Sequence, residues 1–223
     1  MRTSFATVPT AKVPSAVILQ GARPLGEPHD VALRLAKGEE LFAEGEEAEY
    51  FYKVVAGTVR SYKLLSDGRR QIDAFHLAGD IFGIEAGAEH RFSAEAVGGA
   101  SVIAYRRSAL DRLTREHPAF GEQVMSSMIR SLERAQDHML LLGRKTAQEK
   151  IATFLLDLAE RMHEDDRFEL PMLRSDIADH LGLTIETVSR TLAEFARKGL
   201  IKLAAGSRSV VLSNKSALEF LSA

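Results

Sequence analysis

Cysteine is absent from this 223-residue chain. Disulfides, zinc–thiolate sites, Cys-ligated iron–sulfur clusters and thiol redox switches are therefore excluded, and a reducing cytoplasm is compatible with the composition. No apolar run approaches the roughly 18–20 residues that a membrane-spanning helix needs, so we expect a cytoplasmic protein that does not enter a membrane. Neither charge sign dominates, because 29 Lys and Arg stand against 31 Asp and Glu. A wholly basic nucleic-acid coat is thus excluded, whereas a local basic surface is not.

Proline is scarce as well, with six residues in the whole chain, and four of them lie within the first 28 positions. We predict a flexible N-terminal arm over residues 1–30. Its sequence, MRTSFATVPTAKVPSAVILQ, is interrupted by Thr, Lys and Pro before an apolar core develops. A secretory signal is therefore not expected.

Short apolar segments separated by glycines characterise residues 31–116, which we predict to be a β-domain. Asp67-Gly68 between two such segments is typical of a hairpin, because Gly accepts positive φ freely. Strands at this spacing favour a small antiparallel sandwich or barrel, such as a cupin-like jelly roll. An enzyme on such a scaffold would need closely spaced His and carboxylate ligands. The seven histidines include no His-x-His pair, so we predict neither a metal site nor catalysis.

A long helix is predicted over residues 117–143. Its apolar positions are separated by 3, 4, 3, 4 and 3 residues, namely Met125, Met128, Leu132, Ala135, Met139 and Leu142. This spacing is that of a heptad seam. The preferred interpretation is a parallel coiled-coil dimerisation helix, and the alternative is a helix that lies on the β-domain.

The segment RSDIADHLGLTIETVSR, residues 174–190, has the pattern of two short helices joined at Gly182. Thr184 is suited to cap the second helix through its hydroxyl group. The predicted buried positions of the two helices are Ile177, Ala178, Leu181, Val188, Leu192 and Phe195. This is the helix-turn-helix pattern, in which the N-terminal part of the second helix enters the DNA major groove.

Three polar residues share the outward face of that second helix: Glu186, Ser189 and Arg190, with Ala193 beyond them. Arg forms two hydrogen bonds with guanine O6 and N7, Glu accepts from cytosine N4, and Ser bonds either way. These residues are therefore predicted to contact bases. The alternative is that Glu186 and Arg190 form an ordinary i,i+4 surface ion pair worth about 0.2–0.5 kcal/mol.

Local charge supports contact with DNA. Between residues 174 and 215 there are seven Lys and Arg and four Asp and Glu, a local positive excess such as phosphate contact requires. The following segment, LIKLAAGSRSVVL, predicts a hairpin that turns at Gly206 and carries Ser207 and Arg208 at its tip, either as a DNA-contacting wing or as a solvated turn. We assign residues 146–223 to a winged helix-turn-helix domain.

Over roughly residues 30–223 the chain resembles the CRP/FNR family of transcription regulators. The resemblance rests on GEELFAEGEEAEYFYKVVAGTVRSYKLLSDGRRQI and FHLAGDIFG, on the long helix, and on LPMLRSDIADHLGLTIETVSR, which is similar to the FixK branch. It implies an α+β fold with a β-roll, a dimerisation helix and a winged helix-turn-helix. It also implies a homodimeric activator that works with RNA polymerase on genes of microoxic respiration or nitrogen fixation.

The same resemblance assigns roles to individual residues. Glu186, Ser189 and Arg190 match the family's E-x-x-S-R pattern, whose bearers recognise double-stranded DNA with inverted repeats such as TTGAT-N4-ATCAA. The positions that match phosphate contacts are Arg174, Ser175, Thr184, Thr187 and Arg208.

The signal-binding part departs from the cyclic-nucleotide pattern of the family. Glu85, Arg91 and Ser93 are the candidate ligand-pocket residues, but their spacing is shifted and Phe92 is inserted between Arg and Ser. Because of this departure we expect activity without cAMP. Because the chain has no cysteine, we also expect no iron–sulfur cluster, and we predict no cofactor. The alternative is an effector-gated regulator that binds a cyclic nucleotide, or haem through His76, in the β-roll.

Overall fold

The structure is a computed structural model that describes residues 31–164, 166–204 and 208–222. The predicted N-terminal arm, residues 1–30, lies outside the described residues, as do Gly206 and Ser207 at the predicted hairpin turn. Among the helices of the described ranges, none combines the length and the apolar character needed to cross a membrane.

The first part of the described chain is an antiparallel β-roll. Its strands are β1 (Val31–Leu35), β2 (Glu40–Phe42), β3 (Tyr50–Ala56), β4 (Val59–Leu64), β5 (Arg70–His76), β6 (Ile81–Phe82), β7 (Ser93–Ala96) and β8 (Ala100–Arg106). They form two four-stranded sheets with the orders β1-β8-β3-β6 and β2-β7-β4-β5. The predicted jelly roll is thereby confirmed.

Alternating burial explains why these short segments pair as two packed sheets. In β4, Val59 and Ser61 are buried, whereas Arg60 and Tyr62, which alternate with them, are half-buried, and such alternation allows one face to join a core. The hairpin predicted at Asp67-Gly68 joins β4 to β5, and Gly68 has φ +82°. A side chain at that position would be strained.

The helical part begins with a 3-10 turn at Arg107–Ala109 and α1 (Leu110–Glu116), followed by α2 (Pro118–Arg144). Pro118 occupies the first turn of α2, where a missing N–H costs nothing. The helix continues through Gly143 and ends where Lys145 becomes extended, with ψ 144°. Phe120 and Val124 bury one face of α2 against Phe51 and Tyr105 of the β-roll.

The C-terminal part consists of α3 (Ala147–Arg161), β9 (Arg167–Glu169), α4 (Arg174–Leu181), α5 (Ile185–Arg197), β10 (Ile201–Leu203), β11 (Ser209–Leu212) and α6 (Lys215–Ser222). The Thr146 hydroxyl and the Glu149 carboxylate cap α3 reciprocally, at 3.4 and 2.6 Å from the respective amide nitrogens. β10 and β11 form the predicted hairpin. β9 adds a third strand to it, in a segment whose polar sequence indicates only a connector.

One hydrophobic core spans the two parts of the molecule. Ile72 and Phe75 of β5 belong to the same cluster as Leu155 of α3 and Leu181 of α4. The helix-turn-helix unit is therefore packed directly on the β-roll, as well as being joined to it through α2.

Candidate DNA-binding interface

Helices α4 and α5 form the helix-turn-helix unit that the sequence predicts. Gly182 ends α4 in the left-handed conformation, with φ +62°, which glycine adopts without steric cost. Thr184 precedes α5, and its hydroxyl accepts a hydrogen bond from the Thr187 amide at 3.2 Å. The residues predicted to be buried are all buried: Ile177, Ala178, Leu181, Val188, Leu192 and Phe195.

The opposite face of α5 carries the three residues that were assigned to base contact. Glu186 and Arg190 are exposed, Ser189 is half-buried, and Ala193 next to them is exposed. Because Val188 and Leu192 fix the buried side of α5, these polar groups project away from the protein's own core. The geometry thus presents one acceptor, one hydroxyl and one guanidinium on a single solvent-facing surface.

The electrostatics of this face keep its acid ionised. The pKa of Glu186 is lowered, first by hydrogen bonds from its own amide and with Thr184, and then by the charge of Arg190. The i,i+4 ion pairs of the described residues are Arg112–Glu116, Arg161–Asp157 and Lys198–Glu194. Glu186–Arg190 is not among these close pairs, so the surface-pair alternative has no contact to support it.

The residues that match phosphate contacts lie at the starts of α4 and α5 and just before β11. Arg174 and Ser175 form the first turn of α4, the former exposed and the latter half-buried. Thr184 and Thr187 stand at the start of α5 with their hydroxyl oxygens 3.1 Å apart. Arg208 is exposed and donates to the Pro171 carbonyl at 3.0 Å, just before α4, so it lies on the side of the domain where α4 begins.

The apolar seam of α2 is exposed in the single chain. Met125, Met128, Leu132 and Met139 are 46–67% exposed, and Ala135 is exposed with them. Leu142 differs, because it is half-buried and packs on the core of its own chain beside α4. Two further residues that the seam analysis missed, Ile129 and Leu140, are 51% and 64% exposed. They occupy the positions next to Met128 and Met139, where a broader stripe would continue.

The candidate ligand-pocket residues are only partly brought together. Glu85 accepts a hydrogen bond from the Arg91 amide at 3.2 Å, whereas the Arg91 side chain is exposed and lies over Phe92. Ser93 accepts from the Glu44 amide at 2.9 Å instead. Within the β-roll, Phe42 stacks on His90 at 3.6 Å and on Tyr52 at 5.4 Å between ring centroids.

His76, the candidate haem ligand, is a core residue. Its ring stacks on Phe82 at 4.3 Å and its Nε2 lies 3.1 Å from the Ser61 hydroxyl. Burial lowers the pKa of His76 to about 4. Because the Nε2 of His76 already has the Ser61 hydroxyl as a partner and the side chain is buried in the core, these residues do not fit haem.

A cavity of about 320 Å³ lies where β5, α2, α3 and α4 meet. Its lining includes Asp73, His138 and three cations, Arg134, Lys145 and Arg161. Each cation already has an acceptor, since Arg134 and Arg161 pair with Asp80 at 3.5 and 3.0 Å, and Lys145 bonds the Thr153 hydroxyl at 3.2 Å. No local sequence pattern points to this cavity, because its walls come from four separate elements.

Two family models match the chain. A Crp-like helix-turn-helix domain covers residues 149–221, and a cyclic nucleotide-binding domain covers residues 32–117. The nitrogen fixation regulation protein FixK of Azorhizobium caulinodans is 48% identical over 191 residues, which is 83% of this chain and 77% of that protein. The protein of the same name from Bradyrhizobium diazoefficiens is 43% identical over 183 residues, covering 80% of this chain and 77% of that protein.

Comparison with solved structures points to the same family. The structure of FixK2 from Bradyrhizobium japonicum superimposes with a TM-score of 0.80 at 47% identity, covering 87% of this chain and 98% of that one. A CRP-family transcriptional regulator from Thermus thermophilus gives a TM-score of 0.69 at 32% identity, covering 85% and 95%. Proteins of this kind are homodimeric regulators rather than enzymes. By these relationships the chain belongs to the CRP/FNR family of DNA-binding transcription regulators, in its FixK branch.

Proposed function

We propose that the chain is a homodimeric transcription activator that binds a TTGAT-N4-ATCAA-like palindrome through Glu186, Ser189 and Arg190. The observation that carries this proposal is their common position on the outward face of α5, opposite a buried apolar stripe. Arg190 donates to guanine and the ionised Glu186 accepts from cytosine N4. The relatives named nitrogen fixation regulation proteins suggest genes of nitrogen fixation or microoxic respiration as targets.

Phosphate contact supplies the sequence-independent share of the affinity. The proposed phosphate contacts come from the starts of two helices and from one arginine: Arg174 and Ser175 of α4, Thr184 and Thr187 of α5, and Arg208, which donates to the Pro171 carbonyl. Backbone contacts of this kind fix the register of a protein on the duplex. We assign this work to residues 146–223, with residues 31–116 as the sensor-like β-domain.

The dimer forms through α2, over residues 117–143. In support, α2 leaves an apolar stripe exposed while its other face is buried on the β-roll, and a seam of this width suits a partner helix. The proposed contacts are Met125, Met128, Ile129, Leu132, Ala135, Met139 and Leu140, with Leu142 at the edge. Two recognition helices would then enter successive major grooves about 34 Å apart. Activation in the cytoplasm further requires contact with RNA polymerase.

Activity without an effector is the arrangement that the β-domain supports best. Aromatic side chains fill its interior, and the Arg91 guanidinium is turned outward. The effector-gated alternative is favoured by one observation, the 320 Å³ cavity beside His138, whose Nε2 lacks a hydrogen-bond partner within the described residues. Thermal shift with cyclic AMP and cyclic GMP distinguishes the two, and we expect no change in melting temperature.

The DNA proposal is tested by fluorescence anisotropy with labelled duplexes at one fixed salt concentration. The palindrome should bind about 10³-fold or more tightly than a scrambled duplex of the same composition. Equal affinity for the two duplexes would refute sequence-specific binding. A Leu132→Glu variant should lose preference for the two-site duplex over a single half-site, because it places a charge in the dimer seam.

A further inference from the structure

A cluster of five charged residues joins the β-roll to α4, and we call it the docking cluster: Arg60, Arg70, Glu95, Asp176 and Asp179. The carboxylate of Asp176 lies 2.6 Å from both the Arg60 and the Arg70 guanidinium. Arg70 also holds Asp179, with its Nη2 and Nε at 2.8 and 3.0 Å from the same oxygen. Arg60 comes from β4 and Arg70 from β5, so two strands form ion pairs with α4.

The docking cluster is shielded from water at its centre. The Asp176 side chain is 3% exposed and that of Arg60 is 13% exposed. Glu95 stands directly opposite Arg60 in the β4–β7 pair and forms an ion pair with it, and it lies 3.4 Å from Arg70. Charges in such surroundings are tolerated only with well-formed partners, so the cluster permits a narrow range of orientations between β-roll and α4.

Neighbouring hydrogen bonds restrict the same contact. The side-chain Nε2 of Gln71 donates to the His180 carbonyl at 3.2 Å. The Nδ1 of the His180 ring bonds the Ile72 carbonyl at 3.1 Å. The start of β5 is thus bonded along α4 from Asp176 to His180. Rotation of the helix-turn-helix unit against the β-roll would break these bonds together.

Asp176 also shapes the turn assigned to phosphate contact. Its second oxygen accepts from the Leu173 amide at 3.1 Å, which closes the first turn of α4 around Arg174 and Ser175. Leu173 has no polar side chain to perform that capping itself. One carboxylate therefore determines both the geometry of this turn and its orientation relative to the β-roll.

We propose that Arg60 and Arg70 are positioning residues for DNA recognition, which hold α4 and α5 at the orientation that matches one half-site spacing. This inference rests on the proposed function, since it concerns how the two helix-turn-helix units of a dimer are presented. A pair of units attached through α2 alone would reach half-sites over a range of separations. Docking to the β-roll restricts that range without any contact between the arginines and DNA.

The test varies the distance between half-sites. Labelled TTGAT-Nn-ATCAA duplexes with n from 3 to 6, and a single TTGAT half-site, are titrated by anisotropy with the full chain. The wild type should prefer one spacer by about tenfold or more, the usual size of an energetic coupling between sites. Arg70→Gln should reduce that preference to about threefold or less, with half-site affinity unchanged. Arg69→Gln is the matched control, because the Arg69 side chain is exposed and bonds only Asp67 of its own hairpin among the described residues.

The outcomes distinguish failure of the proposed function from failure of the positioning role alone. If the wild type binds no spacer better than a scrambled duplex, the proposed function itself fails. If Arg70→Gln keeps the wild-type spacer preference, or loses half-site and palindrome affinity equally, the positioning role is refuted. Arg70→Lys, which keeps the charge without the two-nitrogen contact, extends the test should Arg70→Gln not fold, with an intermediate preference expected.

Discussion

Helices α4 and α5 are neighbours in sequence and both carry charged residues, but those residues have different partners. Asp176 and Asp179 of α4 bind arginines of the β-roll, and Asp176 is buried. Glu186 and Arg190 of α5 are exposed and lack a close ion pair with each other. Buried polar groups must find partners within the protein, whereas exposed ones remain available to a ligand. Asp176 and Asp179 of α4 thus contribute to the assembly of the molecule, whereas Glu186 and Arg190 of α5 remain available for the recognition that we propose.

The largest expected effect is a difference in stability between a substitution on α4 and one on α5. Asp176→Ala should lower the free energy of unfolding by about 3–5 kcal/mol, because it leaves two arginines without their buried partner and removes the cap of α4. Glu186→Ala on α5 should change it by less than about 0.5 kcal/mol. Urea denaturation monitored by circular dichroism measures both variants. A loss below about 1 kcal/mol for Asp176→Ala would contradict a structural role for the docking cluster.

Acid should also lower the free energy of unfolding, through His180 of α4. Burial, followed by the charge of a protonated His138, lowers the pKa of His180 to about 3, and the ring stacks on His138 of α2 at 4.1 Å. The unfolded state takes up this proton below pH ~6.5, while the folded state remains neutral until pH ~3, so stability falls as pH falls. At pH 5 the loss attributable to His180 is roughly 2 kcal/mol.

Two histidine variants check that expectation by urea denaturation at pH 5 and pH 7.5. His180→Gln should be less sensitive to acid than the wild type, because its side chain does not titrate. His163→Asn changes an exposed histidine and should retain the wild-type pH dependence. The same pH dependence in all three proteins would show that His180 is not the group responsible.

Substitution of Arg190 on α5 should affect DNA binding rather than folding. Arg190→Ala should weaken palindrome binding by about 1–3 kcal/mol and relax the preference for guanine at one position of each half-site. Its urea midpoint should stay near that of the wild type. Arg197→Ala, at the other end of the same helix, should leave base preference unchanged. Unaltered selectivity of Arg190→Ala among single-base variants of the palindrome would remove its assigned role.

The smallest effect concerns the start of α5. Thr184→Ala removes the hydroxyl that accepts from the Thr187 amide and should cost about 1 kcal/mol of stability. Thr184→Ser keeps an N-cap hydroxyl and should cost less. Denaturation curves of the two variants, compared at equal concentration, measure the difference. Equal losses would indicate that the methyl group, and not the cap, is what matters there.

Local patterns allowed much of the fold to be predicted from the sequence. The buried stripe through Val188 and Leu192, the helix cap at Thr184 and the hairpin at Asp67-Gly68 are all present. Each depends on residues a few positions apart, whose spacing is set by helix and turn geometry. The outward face of α5 followed from the same spacing.

Contacts between distant segments could not be predicted in this way. Arg70 and Asp176 are separated by 106 positions, and nothing in either local sequence marks them as partners. The short strand β9 has only Phe168 as a buried residue and forms because β11 pairs with it. Ile129 and Leu140 were missed because a strict heptad seam is narrower than the apolar stripe that α2 exposes.

The most direct test of recognition by α5 combines an altered base with an altered side chain. Replacing the guanine of each TTGAT half-site by 7-deazaguanine removes the N7 acceptor that Arg190 is proposed to bind. Wild-type affinity should fall by about tenfold, and the affinity of Arg190→Ala should be the same for both duplexes. An equal fall for the two proteins would show that Arg190 does not contact that guanine.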